Sequence, residues 1–159
     1  MSKTDVAVVK DRSLAKGLIA GLIGGLVGTL AKTFAERMFP PRTHGEPEPT
    51  EVLAEQVAGH ALAQSDRVIA AEGIQWGFGA AVGAAYGALV EYYPEASAKE
   101  GATFGIALEA LTHEGALPAL GLSAEPEEQT PREHASEITS HVVYGIATEM
   151  VRGFVRKFL

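Results

Sequence analysis

Hydrophobic and polar positions along this chain separate into long apolar runs joined by acidic connections. Residues 17–31 (GLIAGLIGGLVGTLA) carry no charge, and the run extends to Phe39 if Lys32 and Glu36 are accommodated. Residues 73–90 (GIQWGFGAAVGAAYGALV) are uncharged over a length that already qualifies as a spanning candidate. Two further runs are drawn at about 99–121 and 138–158. Some twenty residues at about 1.5 Å each cross a hydrocarbon core of roughly 30 Å. The pattern predicts an all-α protein, a four-helix transmembrane bundle with spans at about 17–39, 69–92, 99–121 and 138–158. An arm over residues 1–16 precedes a single membrane domain over 17–159. In the long first connection the Pro/Gly/Glu front half reads as a linker. Its second half, residues 50–64, reads as a short amphipathic helix on the outer surface.

Composition supports a membrane setting. Hydrophobic residues make up 47 % of the 159, while aromatic and charged residues reach only 7 % and 21 %. Many of the 18 glycines fall inside the apolar runs, where they weaken helices in water but allow close helix approach in lipid. Gly17, Gly21 and Gly25 recur every four residues, with Gly24 and Gly28 alongside, and Gly73/Gly77 and Gly79/Gly83/Gly87 follow in the second run. Packing within the bundle is the simpler use of these ladders; homo-oligomerisation, or docking into a larger membrane complex, is the other. The absence of cysteine removes disulfides and thiolate chemistry.

The net charge of −7 matters less than its placement. Lys3, Lys10, Arg12 and Lys16 mark the amino-terminal arm, and Arg152, Arg156 and Lys157 the carboxy-terminal end, while acids crowd 42–67 and 125–137. The positive-inside rule then places both termini in the cytoplasm and the protein in the bacterial inner membrane, with the lipid bilayer as its surrounding partner. Overall acidity, without basic stretches interleaved by aromatics, argues against nucleic-acid binding. A cleaved signal peptide is a rival for the first run, but the apolar stretch is long for one and no A-x-A site follows.

The third run, GIALEALTHEGALPALGL, raises the chemical question. Its large apolar side chains favour insertion by about −3.5 kcal/mol in sum, whereas ionised Glu109 and Glu114 near its middle oppose it by about +5. The run must therefore turn Glu109 and His113, four apart on one face, toward other helices or water. Partners stand at comparable depth on the other runs: Lys32 and Glu36, Glu72 and Gln75, then His141, Glu149 and Arg152. On the last run Glu137, His141, Tyr144, Thr148 and Arg152 share one arc. The expectation is one cluster of Lys32, Glu36, Glu72, Gln75, Glu109, His113, Glu114, His141, Glu149 and Arg152 that handles protons or ions or supports pH tolerance. The competing reading is an accessory subunit with static pairs: Lys32 with Glu109 or Glu114, and Arg152 with Glu149. A soluble, metal-binding helical bundle is a further rival, given the modest mean hydropathy.

No catalytic residue, metal or cofactor is expected. Phosphate-binding glycine loops and nucleophile elbows are missing from the sequence. A carboxylate di-metal centre would need Glu-x-x-His pairs on two helices. Glu109-x-x-x-His113 is one residue longer and has no counterpart, although Glu36, Glu72 and His141 could be drawn in. His44, His60 and His134 fall in external segments and read as solvated, and Trp76 as an interfacial residue.

Three stretches, KTFAERMFPPR, LTHEGALPALGL and SEITSHVVYGIATEMVR, together resemble the YagU-like family of bacterial inner-membrane proteins. The likeness rests on Lys32, Glu36, Pro40, Pro41, Arg42, His113, Pro118, Ser136, Glu137, His141, Glu149 and Arg152. It implies an inner-membrane location and no particular activity. Glu109 and Glu114 stand outside the shared pattern.

Overall fold

A computed structural model describes residues 12–42 and 46–159; the amino-terminal arm up to residue 11, and His44, lie outside the described residues. All regular structure among them is helical. Helix α1 (Leu14–Met38) starts at Ser13, an extended residue whose hydroxyl accepts from the Lys16 N–H, and ends just before Pro40-Pro41. Short α2 (Pro49–Ala58) stops at Gly59, whose φ of 72° suits glycine. Helix α3 (Gln64–Tyr92) runs back along α1. A tight turn (Pro94–Gly101) leads to α4 (Ala102–Leu111), a π-helical turn (Thr112–Ala116) and the single turn α5 (Leu117–Ala119). Helix α6 (Pro131–Val155) opens on a reciprocal cap: the Thr130 hydroxyl accepts from the Glu133 N–H, and the Glu133 carboxylate accepts from the Thr130 N–H.

Helix α1 lies between α3 and α6; α4 packs on an adjoining face of α6, where Gly105 meets His141 and Gly101 meets Gly145, and α2 rests on α3. Glycine makes the two central contacts close. A Cβ placed on Gly83 would stand 2.5 Å from Gly25 Cα and 2.6 Å from Gly21 O, and one on Gly87 would stand 2.2 Å from Gly17 O. Gly24 and Gly28 bring α1 equally close to Thr148 and Tyr144 of α6. Gly73 and Gly77, by contrast, face open space.

The distribution of side chains is inverted relative to a water-soluble core. Apart from three prolines, the only buried aliphatic side chains larger than alanine among the described residues are Val90 and Leu122. The interior is instead glycine, alanine, serine, threonine, two tyrosines and charged groups: Glu91, Glu109, His113, Glu137, His141 and Arg152. Leu30, Phe34, Ile69, Leu111, Met150 and Phe154 point outward, each more than half exposed. Soluble domains place these classes the other way round.

Of the described helices, α1 alone is long and apolar enough to cross a membrane by its own length and composition. The sequence predicts four such spans, and the reason for the difference is visible. The uncharged run of α3 is diluted by five glycines, Gln75, Trp76 and Tyr86, and the apolar run of α6 is interrupted by His141, Glu149 and Arg152; α3 also begins five residues before the expected start and α6 seven before, at Pro131. The third segment is broken by the π turn. Pro118 has no N–H and its ring crowds the Glu114 carbonyl, so the Leu117 N–H reaches back to the Thr112 carbonyl instead. The amphipathic helix of the first connection is α2, which begins at Pro49 and is shorter than the sequence predicts.

Candidate functional site

The polar residues predicted to form one cluster occupy several places along the bundle. Lys32 pairs with Glu36 on the next turn of α1, which leaves neither of them facing Glu109 or Glu114. Gln75 donates to the Thr33 hydroxyl at 3.0 Å and ties α3 to α1. Glu72 lies on the surface, where it accepts from the Trp76 indole at 3.1 Å, and does not join the interior.

Toward the end of α6, Glu149 and Arg152 form a two-pronged ion pair with both contacts at 2.6 Å. The Tyr86 hydroxyl of α3 donates to the same carboxylate at 2.9 Å. Phe104 of α4 stacks on Tyr86, ring centres 3.9 Å apart, and tilts against Tyr144. At the end of the bundle beyond this layer, Arg156 grips Glu91, and the Ser13 N–H donates to Glu91 at 3.0 Å. The start of α1, the end of α3 and the end of α6 therefore meet at one end.

The opposite end gathers the histidines. Glu137 Oε1 on α6 stands 3.2 Å from Arg42 and 3.0 Å from His113 Nδ1, the latter at ion-pair distance without the alignment of a hydrogen bond. Arg42 also binds Glu48 at 2.7 Å, clamping the start of α2 to α6. His113 and His141 meet edge to face at 4.9 Å, and His141 Nδ1 donates to the Glu137 backbone carbonyl at 2.8 Å. Ser136 donates to the Phe39 carbonyl. A cavity of about 400 Å3, lined by Arg42, Val52, Leu122, Gln129, Thr130 and Glu137 among others, opens beside this group.

Glu109 differs from every other buried acid. Only 2 % exposed, it makes no hydrogen bond or ion pair among the described residues, and its Oε1 is enclosed. Buried Glu91 and Glu137, and half-buried Glu149, each hold an arginine. Glu114 and His134 lie beside Glu109 instead: the ligand atoms of the three fall within 4.8 Å of one another, with His134 Nδ1 4.0 Å from Glu114 Oε1. Both are less buried than Glu109, Glu114 on the surface and His134 half-buried.

Sequence reasoning assigned no site role to Arg42, Tyr86, Glu91, His134, Glu137 or Arg156. Glu137 had a signal, since it stands one turn before His141 on the inward arc of α6. Arg42 and Glu137 are 95 residues apart, and nothing local couples them. His134 reads as a loop residue only until α6 is seen to begin at Pro131.

No curated protein and no solved structure matches this chain. A family sequence profile does, over residues 26–150, which include the second half of α1, all of α2, α3 and α4, the whole histidine end and most of α6. The chain belongs to the family described as "protein of unknown function (DUF1440)".

Proposed function

We propose that this is an integral membrane protein whose four apolar segments cross the bilayer and whose Glu109 end accepts a cation, a proton or a metal ion, from the water on that side. The inverted interior supports the first half. Large apolar side chains on the outside and ion pairs on the inside match a hydrocarbon surrounding and would expose far too much apolar surface to water. Helices α1, α3 and α6, at 25, 29 and 25 residues, exceed the roughly 30 Å core even untilted. Glu91 gathers both Ser13 and Arg156, so the described chain begins and finishes at one end, as an even number of crossings demands. The YagU-like resemblance and the basic termini favour the inner membrane with that end cytoplasmic.

The second half rests on one observation: a carboxylate 2 % exposed and without a positive partner. An ionised carboxylate buried alone costs several kcal/mol, and a bound cation removes that cost. The remaining charges favour a static reading for themselves, because Glu149–Arg152, Glu91–Arg156 and Lys32–Glu36 are already neutralised locally. Handling of cations is thus confined to the end that holds Glu109.

Two measurements test this. The full chain should stay in the membrane pellet after an alkaline carbonate wash; release into the supernatant overturns the membrane placement. Reconstituted vesicles with trapped proton- and metal-sensitive dyes should show cation entry that falls at least tenfold in Glu109→Gln and is unchanged in Glu95→Gln at the other end. Entry no faster than into protein-free vesicles would leave only the static network.

A further inference from the structure

We propose that Glu109, Glu114 and His134 form a binding site for a divalent first-row transition-metal ion. This deepens the cation-accepting reading, on which it rests, by naming the cation. Three independent features of the fold converge on these atoms.

The first is the unpartnered Glu109 carboxylate, enclosed and with an oxygen within 4.8 Å of the other two ligand atoms. The second is the π turn. Residues five apart in an α-helix differ by about 140° in azimuth, which would send Glu109 and Glu114 to different faces. The i→i+5 spacing of Thr112–Ala116 returns Glu114 to the side of Glu109. Such turns recur at functional sites because they re-aim a side chain without ending the helix. The third is the tautomer of His134. Its Nε2 lies 3.0 Å from the Pro126 carbonyl, which can only accept, so Nε2 carries the hydrogen. In the neutral ring Nδ1 then bears the lone pair, and Nδ1 is the nitrogen beside Glu114. A backbone carbonyl holding the outer nitrogen of a ligating histidine is the usual support for such a ligand.

The donor set selects the ion. One imidazole and two carboxylates suit Zn2+, Mn2+ or Fe2+, whereas Mg2+ and Ca2+ favour oxygen alone. Ligands about 2.0–2.2 Å from an ion lie roughly 3–4 Å apart. The present spread of up to 4.8 Å closes by a small movement of Glu114, which is exposed and free to swing. Glu109 at the bottom and solvent at the top leave room for water as a further ligand.

The test is a calorimetric titration of the untagged full chain, purified in detergent and stripped with chelator, with Zn2+. One ion should bind per chain. Glu114→Gln and His134→Ala, both at the accessible rim, should each weaken binding at least tenfold with unchanged helix content. His60→Ala, whose ring rests on the Ala58 carbonyl at the end of α2, should bind as the parent does. Absence of Zn2+ binding, or equal affinity in both rim variants and the parent, overturns the site; so does displacement of Zn2+ by an equal concentration of Mg2+. The underlying reading fails separately. Proton entry lost in Glu109→Gln vesicles without any Zn2+ binding removes the metal and keeps the cation acceptor. Zn2+ bound at this site with vesicle entry unaffected by Glu109→Gln keeps the metal and removes passage.

Discussion

Alanine substitution at two glycines of the same helix should move stability in opposite directions. At Gly83 the new methyl would lie 2.5 Å from Gly25 Cα, 2.6 Å from Gly21 O and 2.8 Å from Gly25 N. All three are backbone atoms on α1 and cannot rotate away, so α1 and α3 must part by about 1 Å to restore ordinary contact. Overpacking of this kind costs about 1–3 kcal/mol. At Gly77 nothing lies within 4 Å of the added methyl, and only helix propensity changes, a gain of up to about 1 kcal/mol. The two variants should therefore differ by about 1–4 kcal/mol, or roughly 2–16 °C in midpoint for a chain of this size. Thermal unfolding in one detergent, followed by far-ultraviolet circular dichroism, reads both. If Gly77→Ala destabilises as much as Gly83→Ala, the tight face of α3 is not the Gly79–Gly83–Gly87 row and the packing described above is wrong.

Other outcomes follow from the same contacts. Arg152→Ala leaves Glu149, half-buried beside Tyr86, without its cation and should lower unfolding stability by up to about 3–5 kcal/mol. Arg152→Lys should recover only part, because an ammonium cannot reproduce the two-pronged contact; a loss under 1 kcal/mol for the alanine variant would show the pair to be solvated. Pro118→Ala restores an N–H that can bond the Glu114 carbonyl, so the π turn should relax and Zn2+ affinity fall at least tenfold at unchanged helix content; unaltered affinity would mean the turn does not position Glu114. Topology reporters fused at the two termini should read the same side, and one inserted in the loop at 125–130 the other; opposite readings for the termini would refute an even number of crossings.

What the sequence makes legible is the part governed by short-range pattern. Apolar runs locate α1, α3, the α4–α5 segment and α6 because no other stretch of the chain is as long and as apolar. The boundaries slip at polar ends, where a helix extends past the apolar run: α3 gains residues 64–68 before the expected start, and α6 gains its first turns because Thr130, Pro131 and Glu133 cap it strongly. The π turn is written in Pro118, yet its consequence, a reversal of Glu114 to the face of Glu109, depends on which carbonyl Leu117 selects. The charged cluster is legible as a list of residues and not as a set of contacts. A count of depth along straight helices places Lys32 level with Glu114, but Lys32 finds Glu36 on its own helix, nearer than anything on another. Glu137 with Arg42, and Glu91 with Arg156, depend on which helices are neighbours, which no periodicity encodes.

The order of helices explains why compensation fails at one place. Helix α1 sits at the centre, and the cations that neutralise buried acids lie on or next to α1 and α6: Lys32, Arg42, Arg152 and Arg156. Helix α4 packs against α6 and not against α1, so its acid is left to whatever α6 offers at that level. There α6 offers His134, His141 and Glu137; His141 gives its Nδ1 hydrogen to a backbone carbonyl, and Glu137 already holds Arg42. His134 remains, its Nε2 held by the Pro126 carbonyl and its Nδ1 turned toward Glu114. A carboxylate and an imidazole nitrogen are a pair that a metal ion can share. The peripheral place of α4, more than any single residue, is what leaves Glu109 in need of a charge from outside the chain.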